Sequence, residues 1–180
     1  MADKKNILVG VTGSIACYKS CELITSLKKK GHDVKVAMSQ DASHFITPLT
    51  LQALSQNKVA SDIFSLSGQW DVEHVSLARW ADVIAVFPAT ADMIAKIANG
   101  RADCILSAAV MAAGDKKVIV APAMNEHMYA SRIVQGNISK LRKEGFLLVG
   151  PERGRLACGA DGTGHIADTE EVVGMIEKIT

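Results

Sequence analysis

The sequence holds 180 residues, 48% hydrophobic and 22% charged, with 14 glycines and 4 prolines; this supports one well-buried core, falls short of two ordinary domains and excludes a disordered chain. Lysine and arginine total 20 against 19 acidic residues, a net charge of +1, so no basic surplus points to nucleic acid. The densest basic cluster, Lys28-Lys29-Lys30, reads as compensation for a helix C-terminus.

In chain order, Ile7 to Gly10 reads as a buried strand, Gly10 and Gly13 allow a tight turn, and Ile15 to Lys30 has helical period until Gly31 stops it. A strand, glycine turn and helix in that order suit an anion at the turn, and equally a plain βα connection. The run is neither a Walker A loop nor a dinucleotide fingerprint, since both spacings are missing. Asp33 to Met38 gives a second strand, followed by Ser39-Gln40-Asp41-Ala42-Ser43, rich in groups that cap helices or hold oxyanions. Ile46 to Leu54 is expected to be helical with Pro48 in its first turn. An edge strand is expected near Ile63 and a helical segment from Val72 to Trp80.

Asp82 to Phe87 is the clearest central strand, with Pro88 ending it, and Thr90 to Asn99 a helix terminated by Gly100. A small-residue helix runs through Ala113, then Lys117 to Ala121 forms a strand broken by Pro122. Ser131 to Glu144 reads as a helix, Phe146 to Val149 as the last strand and Thr169 to Ile179 as the closing helix. Strands alternating with helices of this length predict a three-layer, doubly wound α/β fold with a mostly parallel sheet, Rossmann- or flavodoxin-like, in a single domain over 1–180. Residues 151–168 carry four glycines and almost no periodicity, which predicts a flexible loop serving as a lid or docking arm.

Cys17, Cys21, Cys104 and Cys158 show no framework spacing and are expected to be unpaired thiols in a reducing compartment. The start is polar, and no apolar run reaches the roughly 18 residues a membrane span needs. A cytoplasmic protein without export signal or span is therefore expected.

In such a fold ligands lie outside the carboxyl ends of the strands, where Gly10 to Ser14, Pro88 to Asp92 and Pro122 to Met128 all fall. Taken singly, Thr90, Asp92 and Asn125 read as helix caps; together the three turns predict a pocket. His74 lies beside Asp71 and Glu73, which could orient its ring, although an ordinary surface histidine would look the same. Cys158, His165 and Asp168 lack the spacing of a zinc site, so no metal is expected.

These same stretches resemble the flavin-dependent cysteine decarboxylases, and within them the bacterial phosphopantothenoylcysteine decarboxylases, over nearly the whole chain. Gly10-Val11-Thr12-Gly13-Ser14 is similar to the family's flavin-phosphate turn, and Thr47-Pro48-Leu49-Thr50 to its next cofactor loop. The run from Trp70 to Val75 resembles the catalytic-histidine segment, and Pro88-Ala89-Thr90-Ala91-Asp92 the turn against the flavin. Pro122 to Tyr129 resembles the substrate-binding segment and Leu156 to Gly164 the substrate clamp.

The resemblance implies bound FMN, a homotrimer with flavin sites between subunits, and often a dodecamer of four trimers. It implies decarboxylation of 4'-phospho-N-pantothenoylcysteine to 4'-phosphopantetheine in coenzyme A synthesis. The thiol is oxidised to a thioaldehyde, carbon dioxide leaves, and the enethiolate is reduced again, with no net redox change. In that scheme His74 is the acid/base group, Asn125 holds the substrate carboxylate and Cys158 supplies a proton. Gly13, Ser14, Ser39, Thr50, Pro88, Ala89, Thr90 and Asp92 line the cofactor, while Met124, Met128, Ala157 and Gly159 join Asn125 around the substrate. Asp92 departs from the family's amide, Tyr129 from its tryptophan, and His165-Ile166 from its Arg-Met pair. The chain is further expected to be the stand-alone form, without a fused ligase domain. Rival readings are an oxidative decarboxylase of a peptide C-terminal cysteine, a non-catalytic flavoprotein regulatory subunit, and a flavin prenyltransferase.

Overall fold

The computed structural model describes residues 4–64, 72–155, 159 and 161–179. Six parallel strands form the central sheet: β1 (Asn6–Val11), β2 (Asp33–Met38), β3 (Val59–Ala60), β4 (Val83–Ala89), β5 (Lys117–Pro122) and β6 (Leu147–Leu148), in the order β3-β2-β1-β4-β5-β6. The direction of winding reverses between β1 and β4, the topological switch point at which such sheets open a crevice.

Both sheet faces are covered, and the apolar strands divide their residues between them with a period of two. Ile7, Val9 and Val11 of β1, with Val83, Ala85 and Phe87 of β4, enter one core. There they meet Leu23, Ile24 and Leu27 of α1 (Lys19–Lys29), Leu51 of α2 (Pro48–Ser55) and Val172, Val173 and Ile176 of α8 (Thr169–Lys178). Leu8, Ile84 and Val86 enter the opposite core with α3 (Glu73–Trp80), α4 (Ala91–Ala98), α5 (Ile105–Met111) and α7 (Arg132–Lys143). Gly10 continues that second face: a Cβ there would stand 2.5 Å from Leu106 Cδ1. Only a missing side chain lets α5 lie this close to β1.

The predicted doubly wound architecture is the one observed, with local corrections. The first helix begins with a 3-10 turn at Ile15–Tyr18, because Ser14 Oγ accepts from Ala16 N and Cys17 N bonds back to Ser14 O. The edge strand is Val59–Ala60 rather than the vicinity of Ile63. Gln56 takes the left-handed conformation at φ 59° and ends α2, and Asn57 Nδ2 donates to Val34 O at 2.9 Å, which brings the chain onto β2 early.

Pro88 does not end its strand. The ladder to β5 shifts register between Val86 and Ala89 and resumes at Ala89 opposite Pro122. Two carbonyls at this interruption, Phe87 O and Pro88 O, accept from Ser20 Oγ and Thr12 Oγ1, both at 2.7 Å. Pro88 therefore interrupts pairing without stopping the backbone, because hydroxyls satisfy the acceptors, and Pro122, expected to break its strand, is the last residue of β5.

The stretch expected to be a flexible loop contains an antiparallel hairpin, β7 (Glu152–Arg155) with β8 (Asp161–His165). Gly154 faces Gly162 across it, so the usual alternation of side chains is absent and the strands are silent to a periodicity reading. A short helix, α6 (Glu126–Ala130), precedes α7 and packs against β8. Among the described residues, no helix is long and apolar enough to cross a membrane.

Candidate functional site

A cleft of about 940 Å³ opens above the carboxyl ends of β1, β2 and β4. One side is made by Thr12 to Ala16, Ser39, Asp41 and the start of α4 from Thr90 to Met93; the other by Ala123, Met124, Asn125, Met128, Arg155, Gly159 and Gly164 to Ile166. The glycine turn is this tight because Gly13 faces the loop after β2, where a Cβ would stand 2.5 Å from Asp41 Cβ.

The hydroxyls lining the cleft are held so that they still have a proton to give. Ser14 Oγ accepts from Ala16 N and Thr90 Oγ1 from Met93 N, both at 3.2 Å, each using a lone pair and leaving the O–H to donate. Ser39 is 8% exposed, and its buried hydroxyl has no hydrogen-bond partner among the described residues. A buried hydroxyl facing a cleft with its own proton uncommitted is placed to serve a polar group of a ligand.

Asp92 works against a purely anionic guest. Its carboxylate pairs with Lys96 Nζ at 3.0 Å one helical turn along α4, and Lys96 also reaches Asp103 at 3.4 Å. Burial lowers the Lys96 ammonium's pKa, but the two carboxylates outweigh burial and raise it overall.

Asn125 caps α6: its Oδ1 accepts from His127 N at 2.9 Å. The acceptor end of the amide is thereby engaged and the NH₂ end is the one able to meet a carboxylate. Met124 and Met128 flank it in the cleft.

Of the predicted site residues, the cleft thus gathers Gly13, Ser14, Ser39, Thr90, Asp92, Met124, Asn125, Met128 and Gly159. Ala89 is fully buried and Pro88 gives its carbonyl to Thr12, so both support the floor rather than line it. Thr50 lies apart on exposed α2, its hydroxyl 3.0 Å from that of Thr47. His74 likewise does not line the cleft; it sits on α3, and its buried Nδ1 has no hydrogen-bond partner among the described residues. Trp70, Asp71, Ala157 and Cys158 lie outside the described residues.

Sequence reasoning missed Thr12, which ties two turns together, and the apolar walls Ile15, Tyr18, Phe45 and Met93. Their signal was the adjacency of Ile15 and Tyr18 to a glycine turn. Arg155 was missed because the hairpin carrying it was not read.

Fold and cleft together define a doubly wound α/β protein built to hold a large, partly polar cofactor at its switch point. The sequence matches the flavoprotein family over residues 1–180, and the chain belongs to that family. Its cofactor class is accordingly a flavin, and the donor hydroxyls of Ser14, Ser39 and Thr90 fit one. The chain is 43% identical over 178 residues to the coenzyme A biosynthesis bifunctional protein CoaBC of Bacillus subtilis (strain 168), covering 99% of this chain and 44% of that protein. It is 41% identical over 171 residues to CoaBC of Escherichia coli (strain K12), covering 95% and 42%. The chain therefore spans less than half the length of these curated relatives.

Among solved structures, it resembles a PPC decarboxylase mutant complexed with pantothenoylaminoethenethiol, with TM-score 0.84, 27% identity and 97% of each chain covered. It also resembles the FMN-dependent cysteine decarboxylase SpaF, with TM-score 0.84, 28% identity and coverage of 98% and 96%.

Proposed function

We propose that this chain carries out FMN-dependent decarboxylation of 4'-phospho-N-pantothenoylcysteine to 4'-phosphopantetheine, a step of coenzyme A synthesis, as a single flavoprotein domain over 1–180 with its clamp at 151–168. One observation carries the reading: a single cleft faces the hydroxyls of Ser14, Ser39 and Thr90 with the Met124-Asn125-Met128 group. The first set suits a flavin's phosphate and ring edge, the second a small carboxylate-bearing thiol.

When bound, FMN supplies the reversible two-electron chemistry that makes the carboxylate labile. The residues do the rest. Asn125 donates its NH₂ to the substrate carboxylate without neutralising it, so the group stays ionised and can leave as neutral carbon dioxide while the C–C bonding pair passes to the adjacent C=S as the enethiolate. Met124 and Met128 pack the cysteinyl part and exclude water. In this reading His74 moves the proton of the first half-reaction and Cys158 delivers one to the enethiolate in the second.

His74 stands off this chain's own cleft, so its role calls for a neighbouring copy, and we assign a homotrimer, or a dodecamer of four trimers. Exposed apolar side chains at and near the cleft mouth support this, since Ile15, Tyr18, Phe45 and Leu49 are 60%, 57%, 52% and 71% exposed. Such a patch is what a second copy covers. A cytoplasmic setting agrees with Cys17, Cys21 and Cys104 standing as free thiols.

The test is anaerobic incubation of the flavin-loaded protein with 4'-phospho-N-pantothenoylcysteine, following flavin absorbance and product mass together. Formation of 4'-phosphopantetheine with the oxidised spectrum restored supports the reading. Bleaching by a peptide ending in cysteine, with no turnover of the phosphorylated substrate, replaces it with peptide modification.

A further inference from the structure

The β7–β8 hairpin is fastened to the substrate side of the cleft by contacts that the catalytic reading does not use. Met124 N donates to Gly164 O at 3.1 Å, and Glu126 Oε1, one residue past Asn125, accepts from Thr163 N at 3.2 Å. Gly162 is buried against the same carboxylate, where a Cβ would stand 2.5 Å from Glu126 Oε2 and 2.7 Å from Cδ. A Cβ on Gly164 would fall on the carbonyl oxygen of Met124. Strand β8 therefore meets the segment 124–126 as bare backbone, with Glu126 reaching across.

We propose that Glu126 is a positioning residue whose carboxylate latches β8 to the Asn125 turn. A charge-assisted bond from a backbone N–H is stronger than a neutral one, and Glu126 is half-buried, so the latch is only partly screened by water. Asn125 is fixed from one side by its cap to His127 N and from the other by the strand that Glu126 holds. The latch thus sets how the Asn125 turn is held against whatever Asn125 binds. The functional half of this inference rests on the proposed decarboxylase reading; the structural half does not.

The competing role for Glu126 is a charge in the first turn of α6 that favours the helix dipole. The side-chain amide in Glu126→Gln keeps an acceptor for Thr163 N and loses the charge, whereas Glu126→Ala loses both. Gly162→Ala pushes a methyl into the carboxylate, and that clash disappears when the carboxylate is absent.

The experiment measures hydrogen exchange of the 161–165 amides, with kcat and KM for 4'-phospho-N-pantothenoylcysteine, in flavin-loaded wild type and the three variants plus the E126A/G162A double variant. Losing a bond to a charged group predicts Thr163 exchange about tenfold faster in Glu126→Ala, and KM raised by about the same factor with kcat little changed. Glu126→Gln falls between wild type and Glu126→Ala, because its amide oxygen still accepts from Thr163 N but without the charge, and the double variant is no worse than Glu126→Ala alone. Equal loss in the Gln and Ala variants, additive effects of Glu126→Ala and Gly162→Ala, or unchanged Thr163 exchange would each overturn the latch. Should Gly162→Ala not fold, the Gln and Ala comparison still decides. A wild type that does not turn over the substrate refutes the proposed function, while the exchange pattern still judges the latch.

Discussion

Thr12 and Thr90 are joined at the base of the cleft: the buried Thr12 hydroxyl accepts from Thr90 N at 3.1 Å while donating to Pro88 O at 2.7 Å. One side chain thus sets the spacing between the glycine turn and the start of α4. Thr12→Val keeps the shape but strands a half-buried N–H and a buried C=O. The expected cost is about 2 kcal/mol in urea unfolding, with most of it restored in Thr12→Ser.

Asn125→Asp separates the cap from the ligand contact. Aspartate caps a helix as well as asparagine, so thermal stability is expected to hold. Turnover of a carboxylate substrate is expected to fall about a hundredfold or more in kcat/KM, because two like charges then meet in the cleft. Steady-state kinetics beside a melting curve checks both halves.

Asp92→Asn removes a pairing that is mostly in water, since the Asp92 side chain is 62% exposed. Stability should change by less than about 1 kcal/mol, and Lys96 keeps its contact with Asp103. The new amide can donate where an ionised carboxylate can only accept, so flavin should be retained more tightly. Equilibrium dialysis of the flavin reads this directly.

The closing helix gives an acid-sensitive contribution to stability. Lys30, and then His32, hold the Glu177 carboxyl below its ordinary pKa, through contacts of 3.1 and 3.3 Å. With its folded-state pKa depressed, Glu177 stabilises the fold above the unfolded carboxylate value, and this contribution is lost as pH falls through the folded one. Glu177→Gln should flatten the acid limb of a stability-against-pH curve and leave the neutral region less stable than wild type.

Gly10→Ala tests the closeness of β1 and α5. Leu106 is fully buried and would meet the new methyl at 2.5 and 2.8 Å. Overpacking of this kind is expected to cost about 1–3 kcal/mol. The loss should be smaller when Leu106→Ala is already present, as a double-mutant cycle in denaturant would show.

The sheet was legible because its strands obey a local rule: Ile7 to Gly10, and Val83 to Phe87 after Asp82, are apolar or small runs bounded by turn residues, and each run divides between two cores. What escaped was set by distant partners or by missing side chains. Asn57 fixes β3 through a bond to Val34, far back in the chain, which no window around Ile63 contains. Gly154 and Gly162 pair in a hairpin that offers no hydrophobic period. In the cleft, the glycine turn and the caps at Thr90 and Asn125 could be read from residue types alone. His74 could not be tied to this chain's cleft, since it sits on another part of the surface.

The sheet terminates at both borders in strands of two residues, β3 and β6. Neither leaves a row of free backbone groups long enough to template a strand from a neighbour. Extension of the sheet from molecule to molecule is thereby discouraged at the fold's most aggregation-prone points.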